Sequence, residues 1–140
     1  MKPRVLLAEA DGLHAAACRA FLSAEGVECH VVASGLDCLA YLRQSRPEVL
    51  VLDADLPWGS GLGELTGLRE EGLADLPVVL LTDRPGRLAE EMSGAVVLLK
   101  PVTPLRLTAT IVGILDAVLR QPVAASLVLE REGGKTPGSR

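Results

Sequence analysis

The sequence predicts an α/β protein built on one doubly wound parallel sheet with helices on both faces. Apolar segments of strand length alternate five times with segments of helical periodicity, the order expected of consecutive β-α-β units. Several of these apolar segments contain almost no polar residue, which is typical of parallel strands buried on both faces. A length of 140 residues and a hydrophobic fraction of 49% allow one domain with a sizeable core.

Two β-α units make up the N-terminal part of the predicted sheet. Strands are expected over Arg4–Ala8 and Val27–Ala33, the second with the alternating polarity of a strand near a sheet edge. Between them, residues Gly12–Glu25 carry an apolar helical face. Ser34 is a helix-capping residue, and the helix that it begins is expected to end before Pro47.

Two further units follow in the middle of the chain. Val49–Asp53 is a strongly apolar strand, and a glycine-rich loop separates it from a helix expected near Leu62–Glu71. Val78–Thr82 is the fourth strand. A fourth helix is expected between Pro85 and Ser93, and it is short because little chain separates the fourth strand from the fifth.

The last unit combines the strand Ala95–Leu99 with a helix that opens at Thr103–Pro104, since proline is favoured in the first helical turn. This helix is expected to end at about Arg120, so residues 1–120 form the predicted domain. Residues 121–140 are expected to be a flexible tail or linker stub, because their second half is rich in charge, glycine and proline. Pro122–Leu129 is a short strand-like patch within it.

Three strands end in polar residues that suit phosphoryl chemistry. The third strand ends at Asp53, the fourth ends at Thr82, and the fifth is followed by Lys100 and a proline. The carboxyl ends of parallel strands meet at one edge of the sheet, where α/β proteins place their ligand crevices. A carboxylate nucleophile, a hydroxyl donor and a cation can accept and hold a phosphoryl group. The alternative interpretation of Asp53 is a plain acidic cap of its strand.

Composition and charge argue against several classes of protein. The net charge of −4 and the absence of a basic stripe argue against unaided binding to nucleic acid. There is no apolar stretch long enough for a membrane span and no signal peptide, so a cytoplasmic protein without membrane contact is expected. Cys18, Cys29 and Cys38 lack metal-type spacing and are expected to be reduced thiols.

From about residue 2 to residue 120, the chain resembles the receiver domain of bacterial two-component response regulators. The similarity lies in PEVLVLDADLP around Asp53, in LPVVLLTD, which contains Thr82, and in LLKPVTP, which contains Lys100. The resemblance implies a flavodoxin-like receiver fold with strand order 2-1-3-4-5. It also implies that Asp53 is the phosphoacceptor and that Thr82 and Lys100 contact the phosphoryl group.

The same resemblance implies a magnesium ion held by acids at the end of the first strand. The implied ligands are Glu9, Asp53, the backbone carbonyl of Asp55 and, as a further candidate, Asp11. Receivers normally carry a pair of acids at this point, but here the pair is degenerate, because Ala10 follows Glu9. Since Mg²⁺ needs closely placed oxygen ligands, the loss of one carboxylate is expected to weaken or abolish its binding.

The residues with which receivers transmit their signal are altered as well. The position three residues before the lysine, often aromatic in the family, is Val97, whose branched side chain cannot make a large rotamer swing. Val102, after the Lys-Pro pair, occupies another position that is often aromatic. The charged Asp83 stands where a small residue is usual. These differences predict an altered output switch.

The leading hypothesis is a stand-alone receiver that accepts a phosphoryl group on Asp53 from a sensor histidine kinase or a phosphotransfer protein. It would signal to a downstream protein by conformational change, and it is not expected to be an enzyme beyond its own phosphorylation and dephosphorylation. The alternative is a pseudo-receiver, the same fold used as a protein-binding module independently of phosphorylation. The apolar last helix suggests a homodimer face, although burial of one side on the sheet explains much of that pattern.

Other residues offer weaker evidence. An Asp-x-Asp sequence such as the one beginning at Asp53 also opens the signature of haloacid-dehalogenase phosphatases, but their metal-binding acids follow the lysine, and Asp116 here lies inside a predicted helix. Trp58, the single tryptophan, could cover the site or contact a partner. His14 and His30 have no nucleophile or ligand at a recognisable spacing and are expected to be bystanders.

Overall fold

In a computed structural model, the described residues contain a sheet of five parallel strands. The structure describes residues 2–57, 65–67, 69–70, 72–84, 86, 92 and 94–134. The order across the sheet is the second strand, the first, the third, the fourth and the fifth, with all neighbours parallel. The predicted fold class and strand order are confirmed. The strands are β1 (Arg4–Ala8), β2 (Glu28–Val32), β3 (Val49–Asp53), β4 (Val78–Thr82) and β5 (Val96–Leu99).

Three helices are fully bounded within the described residues, namely α1 (Gly12–Ala24), α2 (Gly35–Gln44) and α3 (Pro104–Gly134). Asp11 and Ser34 cap α1 and α2 by accepting hydrogen bonds from backbone N–H groups of the first turn. Gly26, just after α1, has a φ of 78°. Residues with a Cβ rarely adopt that left-handed conformation, which explains a glycine at this helix end.

Alternation of side chains along the strands divides the core into two layers, one on each face of the sheet. α1 and α3 cover one face and α2 covers the other, as expected of right-handed β-α-β crossovers. The layer with α1 and α3 includes Val5, Leu7, Cys18, Leu22, Val51, Leu81, Leu107 and Ile111. The layer with α2 includes Leu6, Cys38, Leu39, Leu50, Leu52 and Leu80.

The register of the strands brings the predicted site residues to one edge of the sheet. Asp53, the last residue of β3, pairs with Leu81 of β4. Thr82, the last residue of β4, pairs with Leu99 of β5, and Lys100 follows directly. The three polar strand ends therefore lie at the same edge, as the sequence predicts.

The last helix is longer than the sequence predicts. α3 continues to Gly134, so its predicted end at Arg120 is wrong, and the strand-like patch predicted at Pro122–Leu129 is helical. A proline inside a helix costs about 3 kcal/mol, but Ala, Leu, Glu and Arg, which are strong helix formers, predominate after it. Neither α3 nor any other described helix is long and apolar enough to cross a membrane. The division of the chain at residue 120 and the flexibility of residues 121–140 stay predictions.

Three predicted features lie wholly or partly outside the described residues. Of the helix predicted near Leu62–Glu71, residues 65–67 and 69–70 are helical. The helix predicted between Pro85 and Ser93 lies almost entirely outside the described residues, and Trp58 lies outside them as well.

All three cysteines are buried free thiols, as expected. Burial raises the pKa of Cys18 and of Cys29 to about 11. It raises the pKa of Cys38 to about 12. The thiols are therefore protonated and poorly nucleophilic at neutral pH.

Candidate functional site

Asp53 and Lys100 form an ion pair at the carboxyl edge of the sheet. Asp53 ends the buried strand β3 and is only 5% exposed. Lys100 directly follows β5, and its Nζ donates a hydrogen bond to Oδ1 of Asp53 over 2.5 Å. The backbone N–H of Asp55 donates to the same oxygen over 3.0 Å. The acceptor carboxylate is therefore held by two donors in a fixed orientation.

These contacts keep Asp53 ionised. Burial acts to raise the pKa of Asp53, but hydrogen bonds to Glu9, to Lys100 and to the backbone of Asp55 outweigh it and lower that pKa. Burial likewise acts to lower the pKa of Lys100, whereas Asp53 and Asp55 raise it overall. At neutral pH the pair is a carboxylate beside an ammonium group, the charge state that a nucleophilic acceptor needs.

Lys100 also reaches a second acid. Its Nζ donates to Oδ2 of Asp55 over 3.0 Å, and the Asp55 side chain is 70% exposed. The sequence-based prediction gave Asp55 a role only through its backbone carbonyl. The structure adds a side-chain contact, so that the ammonium group of Lys100 donates to Asp53 and Asp55 at the same time.

The hydroxyl of Thr82 is turned toward its own loop. Thr82 is buried, and its Oγ1 donates to the carbonyl of Arg84 over 2.9 Å and accepts from the Arg84 N–H over 3.2 Å. To contact a phosphoryl group on Asp53, this hydroxyl has to exchange both hydrogen bonds. The predicted role of Thr82 stays a prediction, and the structure shows the arrangement from which it would start.

Glu9 follows β1 and is buried next to Asp53. Only 5% of Glu9 is exposed, and its Oε2 accepts from the Asp11 N–H over 3.2 Å. Its Oε1 lies 2.7 Å from Nδ1 of His14. Burial raises the pKa of Glu9 and the hydrogen bond to Asp53 raises it further, while the contact with His14 acts against both.

His14 lines the cavity beside Asp53 and contacts Glu9, a contact that the sequence does not predict, while its expected role as a bystander is untested. Its Nε2 lies 2.8 Å from the carbonyl oxygen of Val102, and its Nδ1 faces Glu9. Burial acts to lower the pKa of His14, but the hydrogen bonds to Glu9 and Val102 raise it overall. The sequence contained a signal for this position of His14. Asp11 is a capping residue, so His14 lies in the first turn of α1, and helical side chains lean toward the helix N-terminus, here toward the edge of the sheet that carries Asp53.

His30, the other histidine, lies away from Asp53. The ring of His30 lies 4.8 Å, centroid to centroid, from the ring of Tyr41. This pair joins β2 to α2, and His30 is not among the residues that line the cavity beside Asp53.

A cavity of about 480 Å³, which we name the crevice, opens beside the Asp53–Lys100 pair. It contains two of the altered signalling positions. Val102 is buried and offers its carbonyl to His14, whereas Asp83 is exposed. The third, Val97, packs against the core layer that includes α2. The crevice is lined by Glu9, Asp11, His14, Asp53, Leu81, Asp83, Lys100, Pro101 and Val102.

The side chains around the crevice do not fit a magnesium site of the implied kind. Asp11 is used as the cap of α1, where its Oδ1 accepts from two backbone N–H groups over 3.1 Å each. Ala10 supplies no carboxylate, Glu9 is bound to His14, and Lys100 occupies Oδ1 of Asp53. Within the described ranges, no group of three or more His, Cys, Asp or Glu side chains could hold a metal ion.

The chain belongs to the response regulator receiver domain family, which it matches over residues 5–112. The family resemblance seen in the strand ends is therefore confirmed. Receiver domains typically use Mg²⁺ at their acidic pocket and interact with histidine kinases or phosphotransfer proteins.

Curated relatives are longer response regulators. The chain is 41% identical over 91 residues to the response regulator protein PmrA of Pseudomonas aeruginosa, covering 65% of this chain and 40% of PmrA. It is 28% identical over 115 residues to the DNA-binding response regulator MtrA of Mycobacterium tuberculosis, covering 79% of this chain and 50% of MtrA. The chain thus spans about two fifths to one half of the length of these relatives.

Solved structures of similar shape have the same fold. The chemotaxis response regulator CheY4 of Vibrio cholerae matches with a TM-score of 0.71 at 20% identity, covering 81% of this chain and 99% of CheY4. A CheY-like response regulator receiver domain protein from Methanospirillum hungatei matches with a TM-score of 0.74 at 21% identity, covering 86% and 99%. At these identities the likeness concerns the fold alone.

Proposed function

We propose that this receiver accepts a phosphoryl group on Asp53 from the phosphohistidine of a sensor kinase or a phosphotransfer protein in the cytoplasm. The observation that carries the proposal is the buried Asp53 carboxylate, kept ionised by Lys100 and open to the crevice. An ionised acceptor carboxylate, an adjacent cation and room for a phosphoryl group are the requirements for transfer to an aspartate.

In the proposed step, a carboxylate oxygen of Asp53 attacks the phosphorus atom of the donor. A P–O bond forms to Asp53 while the P–N bond to the donor imidazole breaks, and the imidazole leaves with the electron pair of that bond. Lys100, already 2.5 Å from the carboxylate, then pairs with the phosphoryl oxygens. Thr82 exchanges its hydrogen bonds to Arg84 for one to the phosphoryl group, which moves the loop after β4 and passes the signal to a downstream protein.

The test is phosphorylation of the full chain by acetyl phosphate, followed by intact-mass spectrometry. We expect one phosphoryl group per chain that is lost in Asp53→Asn and retained in Asp83→Asn, a matched change of another acid that lines the crevice. Labelling that persists in Asp53→Asn would assign the acceptor to another residue. Complete absence of labelling with acetyl phosphate and with phosphorylated kinases would contradict the proposal.

The second candidate function is a pseudo-receiver that binds a protein partner without phosphorylation. Two observations favour it, namely Ala10 in the acidic pair and the engagement of Glu9 by His14. It predicts no labelling and a partner affinity that Asp53→Asn leaves unchanged. In both cases the chain is not a turnover enzyme, and steady hydrolysis of a generic phosphate ester would contradict that statement.

A further inference from the structure

A histidine bridge spans one wall of the crevice. The ring of His14 joins the Glu9 carboxylate, after β1, to the Val102 carbonyl, just before α3. Because a carbonyl oxygen only accepts hydrogen bonds, Nε2 must donate to Val102, and the ring orientation is fixed from both sides. Cys18, one helical turn further along α1, places its Sγ 3.7 Å from the same nitrogen.

This bridge determines where the Glu9 carboxylate lies. Oε1 is taken by His14 over 2.7 Å, and Oε2 accepts the N–H of Asp11 over 3.2 Å. Both oxygens of Glu9 thus contact groups of α1 or of the turn before it, and the same carboxyl group is hydrogen-bonded to Asp53. These contacts leave lone pairs on Glu9 but fix the direction of its carboxylate, and turning it toward a cation would break buried hydrogen bonds, which is costly.

We propose that His14 is a positioning residue that takes the place of metal coordination in this receiver, so that the crevice works without Mg²⁺. Ala10 removes one carboxylate from the acidic pair, His14 holds the remaining one, and Lys100 supplies the positive charge at Asp53. The inference deepens the proposed function, on which its consequence for phosphorylation rests, because it concerns the same crevice.

The test is calorimetric titration of the full chain with magnesium chloride alone, which does not depend on phosphorylation. The wild-type protein should show no saturable binding at millimolar Mg²⁺. Ala10→Asp restores the second acid and should bind weakly. Ala10→Asp/His14→Leu also releases Glu9 from His14 and should bind Mg²⁺ about tenfold more tightly than Ala10→Asp. Changes in the groups that are hydrogen-bonded to a metal ligand alter metal affinity by about this factor.

A conservative variant separates positioning from a loss of structure. Ala10→Asp/His14→Asn places an amide donor near the position of Nδ1 and should bind Mg²⁺ like Ala10→Asp alone. Thermal unfolding of each variant confirms that it is folded. Saturable wild-type binding at millimolar Mg²⁺ or below would overturn the proposal. Equal binding by Ala10→Asp and Ala10→Asp/His14→Leu, or binding by neither, would overturn the role of His14.

Labelling by acetyl phosphate is the second readout. The proposal predicts the same rate for the wild-type protein in excess EDTA and in Mg²⁺, and a dependence on Mg²⁺ in Ala10→Asp/His14→Leu. Wild-type labelling that requires Mg²⁺ would overturn metal independence. Absence of labelling under both conditions would count against phosphorylation of Asp53, while the metal titration would still decide the role of His14.

Discussion

At the scale of single residues, the charge balance of the crevice depends on Lys100. It is the ammonium group within hydrogen-bonding distance of the buried Asp53 carboxylate, and it contacts the exposed Asp55 as well. A buried carboxylate without a partner is strongly destabilising, whereas an exposed pair contributes little. The contact with Asp53 therefore dominates what Lys100 contributes to stability.

Replacing Lys100 by methionine should lower the free energy of unfolding by about 2 kcal/mol, less than for a fully enclosed pair because Lys100 keeps some contact with water. Urea denaturation at neutral pH measures this loss in the free energy of unfolding. In an Asp53→Asn background the same replacement should cost much less, because no buried charge is left unpaired. Equal costs in the two backgrounds would show that the pair does not stabilise the fold.

The Glu9–His14 contact predicts a dependence of stability on pH. The folded-state pKa of His14 is raised above its ordinary value of 6.5, and that of Glu9 is raised above 4.5. A group whose pKa rises on folding contributes stability that is fully present below its unfolded pKa and is lost as pH rises through the folded one. The contribution of His14 should therefore be complete below about pH 6.5 and decline above it.

The measurement is the free energy of unfolding of wild type and of His14→Leu across this range. The free energy of unfolding of wild type should exceed that of His14→Leu by about 1 kcal/mol more at about pH 6 than at about pH 8. His30→Leu removes a histidine that lies outside the crevice, and its profile is the control. An advantage that grows with rising pH would show that the sign is wrong.

At the scale of elements, α3 is attached to the sheet by one face. Its buried residues Leu107, Ile111 and Leu115 recur at a spacing of four, which places them in one stripe against the layer shared with α1. Leu105 and Leu119 are exposed. Burial on the sheet thus explains part of the apolar pattern of this helix, and the predicted homodimer face stays a prediction.

Truncation of the buried stripe tests this attachment. Ile111→Ala should lower the free energy of unfolding by about 3 kcal/mol, because it leaves a cavity in a fully buried position. Val112→Ala, the adjacent change on the exposed side, should cost about 0.5 kcal/mol or less. Chemical denaturation of both variants makes the comparison, and similar losses would contradict the assigned face.

At the scale of the whole molecule, the structure couples the crevice to α3 through backbone continuity. Residues 100–103 connect β5 to the start of α3, and His14 contacts this connection from α1 at the Val102 carbonyl. Lys100, one of the groups that hold Asp53, therefore lies four residues before the first residue of α3 at Pro104. We expect a change in charge at Asp53 to act on Lys100, its ion-pair partner, and through it on this connection.

A chain that ends after Arg120 should fold cooperatively, with a denaturation midpoint close to that of the full chain. The buried residues of α3 named above all precede residue 120, so removal of the later residues leaves the described core intact. Circular dichroism during urea unfolding measures it. Loss of cooperative unfolding would show that residues 121–140 belong to the domain and would refute the division at residue 120.

The sequence by itself determined the sheet, its strand order through the family resemblance, and the meeting of Asp53, Thr82 and Lys100 at one edge. These features depend on local patterns, since apolar runs of strand length and capping residues act over a few neighbouring positions. The family match over residues 5–112 agrees with them. The degenerate acidic pair could also be predicted from the sequence, because Ala10 directly follows Glu9 where the family resemblance implies a second acid.

Only the tertiary structure decided which partners these side chains choose. His14 contacts Val102 across 88 positions of sequence, Lys100 divides its hydrogen bonds between Asp53 and Asp55, and Thr82 turns to its own loop. Such choices depend on distances of a few tenths of an ångström between segments that are remote in the chain, and no local periodicity encodes them. The continuation of α3 past Pro122 escaped prediction for a related reason, since a local helix-breaking signal competed with the helix propensity of the residues after it.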